Sequence, residues 1–237
     1  MALNSSLASL GVRPASELAG QGVARGRVFP VLPELAALLP RGGLVGGSTV
    51  EVRGSTSLLL ALLAVATASG SWAAVAGLPS LGLLAAAELG VLVHRLALVP
   101  RPTMQAATVI SALLDGMDLV AVSGGCLAGE GKRAPTVARK LAARARHSGS
   151  VLLAVEGNWP GADLRISCFG AHWSGLGQGN GRLRQRKVTV AVSGRGSATR
   201  EVRTSLWLPG PVAVVEASGT RGADVVDEIA VPLSEVG

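Results

Sequence analysis

Tyrosine is absent from this 237-residue chain, phenylalanine occurs twice and tryptophan four times. A core of stacked rings is therefore excluded, and leucine, valine and alanine must fill it. Charge is also scarce. Asp, Glu, Lys and Arg make up 16% of the residues against 49% hydrophobic, so most regular elements are expected to be buried on more than one face. That favours a parallel sheet covered by helices over a half-exposed antiparallel one. The two cysteines, Cys126 and Cys168, stand at no motif spacing. This excludes a disulfide framework and points to buried thiols in a reducing cytoplasm. His94, His147 and His172 do not pair at metal-ligand spacing, and Cys168 with His172 lacks a further ligand, so no metal site is expected. No Ser-His-Asp or paired-carboxylate arrangement can be read. Residues 1–30 lack a basic start followed by an apolar run, so no secretory leader is expected.

Basic residues outnumber acidic ones by 22 to 15, a net charge of +7 that suits nucleic acid or an acidic protein surface as partner. Length fits one domain with appendages. Residues 1–41 read as an N-terminal arm with a short helix between Pro33 and Pro40, 42–209 as the core, and 210–237 as an acidic, patchily apolar tail. Residues 57–79 carry no charge and are long enough for a spanning helix. Thr67–Ser71 reads as a turn and Pro79 ends the run, so a buried helix, a turn and a buried strand account for the same residues, and no membrane association is expected.

The core is organised around Ser48–Ala68, STVEVRGSTSLLLALLAVATA. It begins as a β-compatible strand, breaks at Gly54 and restarts as a helix with Ser55 or Thr56 as N-cap. Strands are then expected at 72–77, 95–99, 118–123 and 151–156. Helices are expected between them at 81–89, at 103–114 with Thr103 as N-cap, and at 135–146. This rhythm predicts an open, mostly parallel sheet with helices on both faces. From Ala162 the strands come without helices, at 162–168, 187–193 and 202–208. A Gly-rich loop is expected between the first two, from Gly170 to Gly181, and a hairpin turn over Ser193–Thr199.

Strand, Gly, polar turn, helix is the layout of a phosphate-binding loop. Gly42-Gly43-Leu44, the strand Val50-Glu51-Val52 before Gly54, and the strand Asp118-Leu119-Val120-Ala121-Val122-Ser123 are similar to the P-loop and Walker B strands of RecA-fold proteins. The resemblance runs from about Gly42 to Leu208 and implies a RecA-like P-loop NTPase core, with antiparallel strands at its C-terminal edge. More closely, the stretches RVFPVLPELAALLPRGGL (27–44), LPSLGLLAAAELG (78–90) and WSGLGQGNGRLRQRKVTV (173–190) resemble the ImuA family, actinobacterial ImuA′ type. That resemblance implies an accessory factor of a damage-inducible translesion mutasome. It would work beside ImuB, a Y-family-like polymerase homologue, and indirectly an error-prone replicative-type polymerase, with the recombinase RecA as a further candidate partner. The implied location is cytoplasmic, nucleoid-associated when assembled.

The chain departs from a working recombinase wherever the chemistry needs charge. A functional loop reads G-x-x-x-x-G-K-[ST], because backbone N–H groups wrap the phosphates and Lys neutralises them. Here the second Gly and the Lys are replaced by Leu59 and Leu60. Gly54, Ser55, Thr56 and Ser57 are thus a degenerate P-loop. Asp118 and Ser123 are a degenerate Walker B, with Ser123 where the magnesium-holding acid would stand. Gly77-Leu78-Pro79 occupies the place of the water-activating glutamate, and Glu156 that of the phosphate sensor. The expectation is a non-catalytic pseudo-ATPase with no cofactor, neither ATP nor Mg²⁺. The alternative is an ATP-dependent RecA-like DNA-binding protein. The helix N-terminus at Ser55–Ser57 keeps free N–H groups that could form a residual anion site, although ordinary capping is the favoured reading of them.

Two basic regions remain. Arg182, Arg184 and Arg186, followed by Lys187, alternate so that the three arginines share one face of an extended strand. With Trp173 and the neighbouring glycines they suit DNA or an acidic partner, and equally a solvated edge strand protected by charge. Lys132, Arg133, Arg139, Lys140, Arg144 and Arg146 read as the solvent face of helix 135–146. The tail residues Glu216, Asp224, Asp227, Glu228 and Glu235, interleaved with apolar ones, suit a docking segment as well as a frayed end.

Overall fold

The computed structural model describes residues 26–102, 105–157, 159–176, 181–195 and 200–208. The expected N-cap Thr103, the turn residues 196–199 and the acidic tail lie outside the described residues.

An α/β fold results, built on an eight-stranded mixed sheet. In chain order its strands are β3 (Thr49–Arg53), β4 (Ala73–Ala76), β5 (Leu96–Val99), β6 (Leu119–Ser123), β7 (Val151–Val155), β8 (Leu164–Leu176), β9 (Gly181–Gly194) and β10 (Val202–Leu208). Across the sheet the order is β10-β9-β8-β3-β7-β6-β4-β5. All neighbours from β8 to β5 are parallel, while β8–β9 and β9–β10 are antiparallel. A two-stranded antiparallel piece, β1 (Val28–Pro30) with β2 (Gly43–Val45), precedes the sheet and encloses the short helix α1 (Pro33–Ala36), with Pro33 at its start.

Chain direction across the sheet reverses once, and the helices follow. From β3 the chain steps over two places to β4 and β5 through α2 (Thr56–Ala68) and α3 (Leu83–Glu88). It returns to β6 and β7 through α4 (Ala106–Gly116) and α5 (Ala134–Ser148), then passes under β3 to β8. Right-handed crossovers in opposite directions must lie on opposite faces. The core accordingly divides in two. Leu58, Leu62 and Leu63 of α2 pack with Phe29, Leu35, Val50, Val52 and Ile166 on one face. Ile110 and Leu114 of α4, with Leu141 and Ala145 of α5, pack with Val120, Val122 and Leu152 on the other.

Helix α2 is apolar all round because it is covered all round. The sheet lies beneath it, and β1, α3 and β10 touch it from other sides. This accounts for the uncharged run at 57–79 without a bilayer, and no described helix is long and apolar enough to cross a membrane. Helix α5 buries Ala138, Leu141, Ala142 and Ala145 at helical spacing and leaves Arg139, Lys140, Arg144 and Arg146 exposed. Arg144 grips Asp115 of α4 through two hydrogen bonds of 2.5 Å.

The expected Gly-rich loop at 170–181 is corrected where it is described, at 170–176 and 181, while residues 177–180 lie outside the described residues. Residues 164–176 form one long strand, and β9 begins at Gly181. Around Gly170 the irregularity is a β-bulge: the register shifts between Phe169 and His172, and again between Ser174 and Leu176 before the Leu176↔Gly181 pair. A 3₁₀ segment over Gly124–Arg133, broken by a kink at Gly131 and not signalled by the periodicity, links β6 to α5.

Candidate functional site

In an open α/β sheet, ligands bind beyond the carboxyl ends of the strands where chain direction reverses. Here one such place is the end of β3, whose connection leaves toward β4 while that of its neighbour β7 leaves toward β8. Gly54 follows the strand with φ of 90°, and a Cβ on it would lie 2.0 Å from the backbone oxygen of Cys168. Glycine is required both for its dihedral and for this close approach. Ser55 is extended and caps α2, its Oγ accepting from the Ser57 N–H at 3.2 Å. The turn therefore consists of Gly54 and Ser55 alone, with Thr56 already in the helix. Leu59 and Leu60 point into the core, with exposures of 0% and 2%. Arg186 reaches across from β9 and donates to Ser55 Oγ, so a cation from this chain already lies at the mouth.

The neighbouring strand ends are equally occupied. Ser123 accepts from the Gly125 N–H at 3.3 Å and caps the 3₁₀ segment. Asp118 stands at the opposite end of the strand. Its carboxylate accepts from the Trp72 N–H at 2.8 Å and from Arg27 at 3.1 Å, so the structure does not bring Asp118 and Ser123 together. Glu156 is the one described non-glycine residue with positive φ, at 52°, and its carbonyl oxygen lies 2.0 Å from where a Gly124 Cβ would be. A cleft of about 350 Å³ at the far end of α5 is lined by Arg139, Arg146 and Arg195. A larger one, about 620 Å³, lies at the ends of β4, β5 and β6 between Gly77, Arg101, Cys126 and Glu130. Burial pushes both thiols above the ordinary range. For Cys126, backbone hydrogen bonds from Ser123 and from its own amide oppose the shift; for Cys168, Arg186 does. Among the described residues no cluster of three or more His, Cys, Asp or Glu side chains forms a metal site.

The basic run divides between the two faces of β9. Arg186 pairs with Trp173 on the α2 side, its guanidinium 5.7 Å from the ring centre. Lys187 points the other way, between His172 and Trp207, with its Nζ 6.0 Å from the Trp207 ring. Arg182 and Arg184 belong to β9 by their backbone, while their side chains lie outside the described residues.

Residues 37–161 match the MT3502 N-terminal domain family. The chain is also 36% identical over 173 residues to "Uncharacterized protein Rv3395c" of Mycobacterium tuberculosis (strain ATCC 25618 / H37Rv), covering 67% of this chain and 79% of that one. The chain belongs to the MT3502 N-terminal domain family. The family segment runs from just after α1 to the crossover under β3, and so contains β3, Gly54 and α2. Strands β8 to β10, with Trp173, Arg186 and Lys187, lie beyond the segment that matches the MT3502 N-terminal domain.

Sequence reasoning missed a buried acid inside the family segment. Glu51, in mid-β3, is fully buried. Its Oε1 accepts from Arg53 Nε at 2.8 Å and its Oε2 from Arg165 Nε at 2.7 Å, while Arg53 also donates to the Gly157 carbonyl at 3.2 Å. A glutamate in the middle of TVEVR was the available signal, since a buried carboxylate must be paired. Its partner on β8 was not readable without the strand order.

Proposed function

We propose that this protein is a non-catalytic, RecA-like adaptor of the ImuA′ type in damage-induced translesion DNA synthesis. It would assemble with an ImuB-like Y-family polymerase homologue and, through it, with an error-prone replicative-type polymerase. RecA is a further candidate partner and DNA a secondary one. The pathway and partners rest on the resemblance of residues 27–44, 78–90 and 173–190 to the ImuA family. The absence of catalysis rests on one observation. The two positions where a phosphate loop needs glycine and lysine are leucines turned into the core, and the turn before them is two residues long.

A central strand at the point of reversal, followed by glycine and a helix, keeps the form of a nucleotide site. The groups that would hold a triphosphate are replaced by an arginine of β9 hydrogen-bonded to the cap. On this reading the scaffold serves through its protein surfaces, in the cytoplasm and at the nucleoid when assembled.

The experiment has two arms. Co-expression with an ImuB-like partner, followed by affinity capture and size-exclusion chromatography, is expected to give a stable complex. Calorimetry with ATP and Mg²⁺ is expected to show no binding. Hydrolysis that disappears in Thr56→Ala would overturn the non-catalytic reading and favour the ATP-dependent alternative. Failure to co-purify would overturn the adaptor reading.

A further inference from the structure

Strands β8, β9 and β10 bury one face against α2 and leave most of the other uncovered among the described residues, although Ala191 on it is buried, at 5% exposure. Ile166, Val188, Val190, Val192, Leu206 and Leu208 belong to the α2-side core. The opposite residues join neither core cluster, and no described helix covers them. Strand pairing sets these residues in rows. Ser167, Ala191 and Arg203 form one row, Phe169, Thr189 and Ser205 the next, and His172, Lys187 and Trp207 the third. Phe169 is 42% exposed, unusual for one of only two phenylalanines in the chain. Trp207 is partly exposed two residues further along β10. From strand spacing and rise, the backbone positions of Phe169 and Trp207 stand roughly 12 Å apart.

Each ring carries its own cation. The Arg203 guanidinium lies 5.4 Å from the Phe169 ring centre and Lys187 Nζ 6.0 Å from that of Trp207. Arg165, half-exposed, stands on the same face one row beyond Ser167. Two of these cations already hold acids. Arg203 pairs with Glu201, which is itself exposed and so can be exchanged for a phosphate, and Arg165 pairs with buried Glu51, which leaves Lys187 as the cation of this face with no acid partner among the described residues.

We propose that this uncovered face is a binding platform for single-stranded nucleic acid. Two flat apolar rings at the spacing of a few nucleotides offer stacking to any base. Cations beside them meet the phosphates that flank a stacked base. A duplex keeps its bases stacked on one another and has no use for the rings. An acidic polypeptide would use the cations but not the ring faces. The site shares Lys187 with the basic run of β9 but not Arg186, which points to the other side of the sheet. The proposal stands independently of the adaptor reading, because its readout involves no partner protein.

The test is fluorescence anisotropy of the full chain with labelled oligothymidylate of about 15 nucleotides, long enough for a typical site. A duplex of equal length, the matching oligouridylate and polyglutamate serve as comparisons. The single strands are expected to bind, more tightly than the duplex. The double variant Phe169→Ala/Trp207→Ala should lose at least about tenfold, given the usual contribution of each stacked base. Phe169→Tyr/Trp207→Phe should stay within about twofold, which separates stacking from loss of fold. Lys187→Ala/Arg203→Ala should flatten the salt dependence by about one to two phosphate contacts. Unequal binding of the two single strands, which differ in the sugar and in the thymine methyl group, would show which of the two chemistries the face prefers and still support the platform. The proposal is overturned if the native chain binds neither single strand, or if the ring-deleted variant melts like wild type and binds as tightly. Polyglutamate bound better than oligothymidylate, with the same dependence on the rings, would also overturn it in favour of an acidic polypeptide.

Discussion

Arg165 on β8 donates to Glu51 on β3 at 2.7 Å, and Arg53 holds the other carboxylate oxygen at 2.8 Å. The Glu51 side chain is 1% accessible and the two arginines are roughly half-exposed, at 47% and 41%. A buried carboxylate therefore depends on cations that themselves reach water. Either one suffices to pair it, so the two should act non-additively. Arg165→Met is expected to cost about 1 kcal/mol in urea unfolding, and Arg53→Met/Arg165→Met about 3–5 kcal/mol, since the second loss leaves the acid unpaired. Strictly additive losses would show that the triad is not a unit.

Gly54 sits where neither its dihedral nor its surroundings admit a side chain. With φ at 90° and a backbone oxygen 2.0 Å from the missing Cβ, Gly54→Ala must shift β3 against β8. The expected loss is about 2–4 kcal/mol, read from the unfolding midpoint at unchanged slope. A near-neutral result would mean that this turn adjusts freely.

Restoring the missing lysine should not restore a nucleotide site. Leu60 is 2% exposed and helps to fill the α2 face of the core. Leu60→Lys is expected to cost at least about 3 kcal/mol, because an ammonium would be buried there without a partner. Calorimetry with ATP and Mg²⁺ should remain flat. Tight, magnesium-dependent binding by this variant would show that one residue alone separates the chain from function.

The thiols supply a pH test. Burial raises both Cys126 and Cys168, so both are protonated and poorly nucleophilic at neutral pH. Alkylation by iodoacetamide should be slow in the native protein and fast after unfolding. The native rate should climb only beyond the pH at which an ordinary thiol ionises. Because folding favours the neutral thiol, this contribution to stability is complete below the unfolded-state pKa and fades as pH rises through the folded one. Rapid labelling of either cysteine at about pH 7 would contradict this placement.

Much of the fold was legible because its signals are local. Gly54 after TVEVR and an uncharged leucine run set β3 and α2 in place, and β-branched runs between helical patterns marked β6 and β7. What stayed hidden depends on pairing. The stretch around Gly170–Gly181 reads as loop because glycines are turn residues, yet as far as Leu176 it pairs with β9, which absorbs the irregularity as a bulge. The arginine alternation at 182–186 was visible. That Arg186 caps the mouth of β3 while Lys187 meets Trp207 on the reverse side needed the register. The rings of Phe169 and Trp207 lie 38 positions apart in the chain and only topology brings them onto one surface.

A sheet jacketed on both sides at its middle and on one side at its β10 end will not open evenly. Amides of β3, β6 and β7, clamped between two apolar layers, should exchange with deuterium only when the whole molecule unfolds. Those of β10, an outer strand with one flank uncovered among the described residues, should exchange through smaller excursions that leave the parallel half intact. Whatever settles on that flank would slow this exchange first, so the deuterium clock of one strand would report occupancy of a surface more than a helix away from the broken loop.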